Sequence, residues 1–569
     1  MELLPATKAS ILGLTVSLSL LTARGNAQYD PKAEDPIPRL RGTLFLGGGG
    51  ELPAGVRESF VAMAGGTKAR LLLIAPAKTA EASLAAWQKQ QVAECDTIAW
   101  KSLTHTASLN HISKATGIWI LGDDSKRFGD IMRGSPAAQA LRALIARRGV
   151  LGCSGSIVGL LGHSMVNGAH GLDLVPGSIL ETQFASKGRR AGVVAALSDQ
   201  PRLVGIGIET KTVMVLHQRF LDVLGEGSIY GCISKSKHRP LRVDKINRRE
   251  SPSSQRRTAR ARSNRWQRNR SRDSSFQPRR LADLIAWSRS AQARVATSFP
   301  AYKPQAPNVA KGSLIIVGGG GMPKGLMDRF IKLAGGLNAP LLYVPCEEGE
   351  AIRGEPRILK SWRSAGVTNV DWIHTKDRTK ANQDEALLNK IRKAKGIWFG
   401  GGRQWNFVDS YQNTTAHKLM HEVLAKGGVI GGSSAGASIQ GSYLARANPL
   451  GNVDSMAEGY EIGLGFLTGV AIDQHFSQRG RLPDMTALAN TYPELLGIGL
   501  DEASSIIVQG KVATAFSRDG RNVYIYDRRK PVVEGQKDYL LLAHGQRFDL
   551  QTRKILPPAA SQSAKPGKK

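Results

Sequence analysis

The chain has 569 residues and 41% hydrophobic content, room for several domains at about 150 residues each and for real cores, which excludes disordered and collagen-like classes. Its 78 Lys/Arg against 46 Asp/Glu leave a formal charge of +32, a balance that attracts polyanions without saying which. Four cysteines and no Cys-x-x-Cys pair exclude a disulfide-dense scaffold and speak against a thiolate metal centre; the chemistry read below is expected to use no metal and no cofactor.

At the start, Lys8 precedes an apolar run from Ala9 to Ala23, and Gly25-Asn26-Ala27 supplies small residues of the kind a signal peptidase reads. Residues 1–27 are therefore expected to be an export signal; the run is short of the ~20 residues that span a bilayer. No membrane span is expected in the mature chain. Export would permit a disulfide among Cys95, Cys153 and Cys232, with Cys346 alone in its half.

The chain then repeats itself. Arg41-Gly42-Thr43-Leu44-Phe45-Leu46 runs into four glycines at Gly47, and Lys311-Gly312-Ser313-Leu314-Ile315-Ile316-Val317 runs into four more at Gly318. Each reads as a buried strand feeding a tight turn and then a helix, with Val56, Phe60 and Met63 or Met327, Phe330 and Leu333 at helical spacing. The parallel continues at Arg70 to Pro76 and Pro340 to Pro345, at Gly117-Ile118-Trp119-Ile120 and Gly396-Ile397-Trp398-Phe399, and at Gly149 and Gly428. Strands alternating with helices predict α/β domains with mostly parallel sheets, one over residues 39–234 and one over 311–555.

Between them, residues 235–310 read as a linker. From Lys235 to Arg294 there are 19 Lys/Arg against 4 Asp/Glu. The arginines from Arg256 to Arg272 sit among Ser, Asn and Gln with little to bury, which predicts a solvated segment. The alternative is a polyanion-binding arm over 235–294, to which Trp266 and Phe276 could add stacking. Residues 556–569 read as an unstructured tail.

The second copy carries the chemistry. Gly432-Ser433-Ser434-Ala435-Gly436 follows a strand and precedes a helix-compatible stretch, the pattern of a nucleophile elbow with Ser434 at its apex. It aims the Ala435 N–H at a developing oxyanion. Ala471 to Phe476 ends a strand in Asp473, Gln474 and His475, and Leu496 to Leu500 ends another before Asp501 and Glu502. Strand ends are where an open α/β sheet collects ligands, so Ser434, His475 and Glu502 can share one site as nucleophile, base and orienting acid. Their order, serine then histidine then acid, is not that of α/β-hydrolases.

Taken together, GGGGMPKG at Gly318, FGGGRQ at Phe399, GGSSAGAS at Gly431, DQHFSQRGRL at Asp473 and GIGLDE at Gly497 make the second copy similar to cyanophycinase and related serine exopeptidases of the peptidase E type. The resemblance implies a fold like class I glutamine amidotransferases, flavodoxin-like, in both tandem domains. It implies Ser434, His475 and Glu502 as the triad, and substrate contacts from Gln404, Asp473, Gln474, Arg479 and Arg481. An oxyanion site from Ala435 and the Gly401-Gly402 loop accompanies them. Arginine forks suit carboxylates, and Asp473 could pair with a substrate cation. One departure stands out: the family usually has a third arginine where this chain has Asp484, a carboxylate that would disfavour an aspartate substrate if it lined the pocket.

Aligning the copies places Gly155 at the position of Ser434, Gln183 at that of His475 and Thr210 at that of Glu502, with Glu181 opposite Asp473. Ser154 and Ser156 lie near the first elbow without a base or acid, so the first copy reads as a scaffold or binding domain. The expected function is an exported serine exopeptidase acting on β-aspartyl-arginine or related acidic peptides, possible substrates including a cyanophycin-like polymer. The alternatives are an α-aspartyl dipeptidase or esterase, or a non-catalytic polyanion-binding surface protein.

Overall fold

The computed structural model describes residues 40–77, 80–247, 280–301, 303–518, 520–529 and 531–557. The expected export signal, Arg256 to Arg272 with Trp266 and Phe276, and nearly all of the expected tail lie outside the described residues.

Each half is built twice over from the same plan. The first large sheet runs Ala282–Asp283, Phe220–Gly225, Thr212–His217, Thr43–Gly47, Val150–Ser154, Gly117–Ile120, Arg70–Ala75, Glu94–Ala99. The second runs Lys554–Leu556, Arg547–Asp549, Val512–Ser517, Ser504–Gly510, Val309–Val317, Val429–Ser433, Gly396–Phe399, Leu341–Val344, Val370–Trp372. In both, a parallel core beginning at the strand before the glycine run is extended on one side by antiparallel strands. A five-stranded sheet completes each half, from Gly162–Ser164 to Arg242–Asn247 in the first and from Gly441–Leu444 to Leu540–Leu542 in the second.

The sequence reasons for this are local and repeated. Leu44, Phe45 and Leu46, like Leu314 to Val317, are wholly buried, as strands covered on both faces by helices must be. The helix Val56–Ala64 buries Val56, Phe60, Val61 and Ala64, and Leu326–Ala334 buries Leu326, Phe330, Ile331 and Ala334, the same positions of the same apolar stripe. Edge-to-face ring pairs repeat too: Phe60 on Trp119 at 5.2 Å and Phe330 on Trp398 at 5.1 Å.

The expected linker over 235–310 needs correcting. Arg242–Asn247 is a full strand paired with Ser228–Ile233, so the first half extends beyond residue 234. Ala282–Asp283 adds to the first large sheet, and Leu284–Val295 is a helix with Leu284, Ile285, Trp287 and Ala291 buried. Its arginines are not simply solvated. Arg289 Nε donates to Asp409 (2.9 Å), Arg294 Nε to Glu458 (2.6 Å), and Arg239 bridges Glu458 and Glu461 at 2.9 Å each. A charge count along the chain could not show this, because the acidic partners are more than a hundred residues away.

The same network joins the halves. Arg219 reaches Asp283 with Nε (2.7 Å), Asp409 with Nη1 (2.6 Å) and Tyr460 Oη with Nη2 (2.8 Å), and stacks over Trp405 at 4.4 Å. Burial opposes the charge on Asp409, yet Arg219 and Arg289 hold its carboxyl well below the usual carboxylate range. All four cysteines are free thiols. Among the described residues no helix is long and apolar enough to cross a membrane.

Candidate active site

Ser434 follows the strand Val429–Ser433 of the large sheet, and His475 and Glu502 follow Leu467–Gln474 and Leu496–Leu500 of the small one. The site therefore forms where the ends of two sheets meet. His475 Nε2 lies 3.0 Å from Ser434 Oγ, and Nδ1 lies 2.7 Å from Glu502 Oε1. With Nδ1–H donated to the carboxylate, Nε2 is left as an acceptor toward the hydroxyl. Ser434 has φ 57° and ψ −113°, a region a non-glycine residue occupies only under constraint. The constraint is visible: a Cβ at Gly432 would meet the Gly436 carbonyl at 2.3 Å, so the elbow closes only with small neighbours.

The glycine run after the first strand of this half has a second use beyond turning. A Cβ on Gly319 would lie 2.4 Å from the His475 ring, and one on Gly320 would lie 2.5 Å from the Glu502 carboxyl group. The bare backbone is the floor on which imidazole and carboxylate rest. Its carbonyls also tie the site down: His475 N–H donates to Gly318 O (2.8 Å), Ser434 N–H to Val317 O (3.0 Å) and Ala503 N–H to Gly319 O (2.8 Å). Gln478 Oε1 accepts from Glu502 N–H at 2.7 Å and fixes the start of that turn.

His475 is 8% exposed. Burial lowers its pKa below the ordinary value and the Glu502 hydrogen bond partly offsets this, so the ring is neutral and able to accept a proton at neutral pH. The Ala435 N–H, at the first position of the helix Ala435–Ser438, has no intrahelical acceptor. Gly401 stands beside it, close enough that a Cβ would lie 3.4 Å from Ser434 Cβ. Cys346 packs behind this loop and donates to Arg403 O at 3.1 Å; burial pushes its thiol up to about 12, so it is no competing nucleophile.

The expected substrate contacts divide. Arg479 is exposed, its backbone N–H donating to His475 O at 3.1 Å, and it makes no ion pair among the described residues. Gln474 Oε1 accepts from Ser434 Oγ at 3.5 Å, a long contact. Gln404 is buried and its Nε2 donates to Ala445 O at 2.7 Å, bracing the site from behind. Asp473 and Arg481 are corrections. Asp473 Oδ1 takes Arg481 Nη1 (2.8 Å) and Oδ2 takes Arg446 Nε (2.8 Å), with both side chains of the Asp473–Arg481 pair under 5% exposed. A substrate reaching either would meet a neutralised pair rather than a lone ion, because each already has a buried partner. Asp484 is corrected as well: it does not face the site as a lone carboxylate but pairs with Arg446 Nη2.

Arg446 was invisible in the sequence because it belongs to no motif. It lies in a long loop, residues 445–460, and only folding brings it to Asp473 and Asp484. Gly319 and Gly320 were signalled by the glycine run, though only as a turn.

Residues 314–516 match the sequence model of peptidase family S51. The chain is 27% identical over 252 residues to the cyanophycinase of Synechococcus elongatus, a match covering 41% of this chain and 78% of that protein. It is 25% identical over 260 residues to the cyanophycinase of Geminocystis herdmanii (strain PCC 6308), covering 42% of this chain and 95% of the relative. Among solved structures, a peptidase from an acI-B1 Actinobacterium is 20% identical with a TM-score of 0.32, covering 42% of this chain and 97% of that one.

Proposed function

We propose that the second half, whose residues 314–516 match the sequence model of peptidase family S51 and which is similar to cyanophycinases, carries out acyl transfer on a β-aspartyl-arginine type of peptide through Ser434, His475 and Glu502. The observation that carries the reading is the continuous hydrogen-bonded chain Ser434–His475–Glu502, at 3.0 and 2.7 Å. Ser434 Oγ attacks the scissile carbonyl while His475 Nε2 takes its proton, and Glu502 keeps the proton on Nδ1 and stabilises the imidazolium. The Ala435 and Gly402 N–H groups receive the oxyanion. His475 then protonates the leaving amine, and water activated by the same ring releases the acyl group.

Arg479, exposed next to the base, is the cation left to hold a substrate carboxylate. With Asp484 committed to Arg446, an aspartate-bearing substrate meets no opposing carboxylate from that position. Incubation with a fluorophosphonate followed by peptide mapping tests the nucleophile, and a panel of β-aspartyl-arginine, α-aspartyl dipeptides and insoluble cyanophycin tests the substrate. Labelling at Ser434 with turnover of β-aspartyl-arginine supports the reading; labelling without turnover of any aspartyl peptide would leave an esterase, and no labelling would refute the triad. Export is inferred from Lys8 and the apolar run after it, and the N-terminal residue of the mature protein tests it.

A further inference from the structure

A cavity of about 380 Å³ lies in the first half, outside the chemistry above, with Ser156, Met165, Val166, Leu180, Glu181 and Arg189 in its wall. Glu181 is the counterpart of Asp473, and Arg189 that of Arg481. The inner half of the arrangement survives: Arg189 Nη1 donates to Glu181 Oε1 at 3.0 Å, and Thr182 N–H donates to the same oxygen at 2.9 Å. The outer half does not. In the second half, Leu444 N–H and Glu461 O close a loop over residues 445–460 whose Arg446 covers the second oxygen of Asp473. In the first half the matching bond, Met165 N–H to Ala169 O at 2.8 Å, closes a turn of Val166, Asn167 and Gly168 alone. No arginine is supplied there. Glu181 is 8% exposed, and its Oε2 has no partner among the described residues.

We propose that this cavity binds a guanidinium-bearing amino acid or peptide end, its cation taking the place on Glu181 Oε2 that Arg446 takes on Asp473. A nearly buried carboxylate with one open oxygen favours a cation that can approach in the carboxylate plane, which a guanidinium does. Met165, Val166 and Leu180 offer apolar wall for an aliphatic stem. Arg189 is half exposed and spends one nitrogen on Glu181, leaving its other N–H groups for the ligand's carboxylate. A pocket of this volume accommodates a small ligand rather than a folded partner. The proposal does not depend on Ser434 being a nucleophile.

Calorimetric titration of the full chain carrying Ser434→Ala with L-arginine and with citrulline, its uncharged isostere, tests this. Saturable arginine binding is expected, with citrulline weaker by at least about tenfold because it lacks the charge. Glu181→Gln should weaken arginine by at least about tenfold at an unchanged melting temperature. Asn167→Arg, on an exposed turn, should do the same by placing a guanidinium of the chain itself beside Glu181, and it carries the test if Glu181→Gln fails to fold. Arg479→Ala should leave binding unchanged. Equal binding of citrulline, binding that survives both first-half variants, loss on Arg479→Ala instead, or no arginine binding would each overturn the proposal.

Discussion

The two elbows differ less in backbone than in what sits on it. Gly155 and Ser434 both have positive φ, as do Gln183 and His475, and Lys211 and Ala503. The backbone bonds match as well: Gly155 N–H to Gly47 O at 3.1 Å answers Ser434 N–H to Val317 O at 3.0 Å. A carboxylate bonded by a tyrosine is retained, the half-buried Glu209 with Tyr230 and the buried Asp501 with Tyr524. What is lost is chemical. Ser434, His475 and Glu502, the proposed nucleophile, base and orienting acid, are replaced by Gly155, Gln183 and Thr210. The position matching the proposed oxyanion site is filled: the N–H of Ser156, the counterpart of Ala435, donates at 2.7 Å to Oδ1 of Asp123, the counterpart of Gly402. A carboxylate of the chain stands where the proposed mechanism has the second half receive an oxyanion. Strain and topology thus persist without the serine, histidine and acid, because the strand ends and glycine turn that impose them are part of the fold.

The sharpest break in this comparison comes from the serines. Ser434→Ala should lower kcat/KM by ~10⁴-fold or more, whereas Ser154→Ala and Ser156→Ala should leave it unchanged. Steady-state kinetics decides, and comparable losses from either first-half serine would end the contrast. Next in size, Gly402→Asp transplants the first half's carboxylate into the second. It should cost kcat about 10² to 10³-fold by occupying the oxyanion position. Gly402→Ala isolates the backbone part of that loss, since a Cβ there would already meet Cys346 O at 2.8 Å. If the two variants are equally slow, the carboxylate adds nothing and the closed-hole account fails.

The contact between the halves is tested by Arg219→Ala. It leaves Asp283 buried without its guanidinium and Asp409 with one fewer, which should cost about 3–5 kcal/mol of stability. Denaturant unfolding measures it; a loss below 1 kcal/mol would mean that the pairing does not hold the halves together. The smallest effect is in pH. The base must be neutral, so kcat/KM should be low in acid, rise through a pKa below histidine's ordinary value of about 6.5 and then level off. Since the Glu502 hydrogen bond raises the His475 pKa, Glu502→Gln should move that acid limb to lower pH while reducing the rate. An acid limb that stays in place, or moves upward, would show that Glu502 does not act on the ring.

Much of this was legible in the residues. The repeat, the strand–turn–helix units, the elbow and the three strand-end groups are local patterns of apolar spacing and small residues, and local patterns survive in sequence order. The fate of the charges was not. Asp473 and Arg481 sit in the motif that signals the site, yet burial commits them to each other, and Asp473 to Arg446 as well, at 2.8 Å each. Arg289 and Arg294, in a stretch that reads as solvated, are bound by Asp409 and Glu458 from the other half. An ion pair needs two groups within a few ångströms and a local dielectric to set its strength, and neither is written along the chain. The sequence by itself determined which backbone positions could hold a nucleophile, a base and an acid. Only the tertiary structure decided which of the surrounding charges remained free to meet a substrate, because desolvation makes a buried charge take whatever partner the fold brings to it.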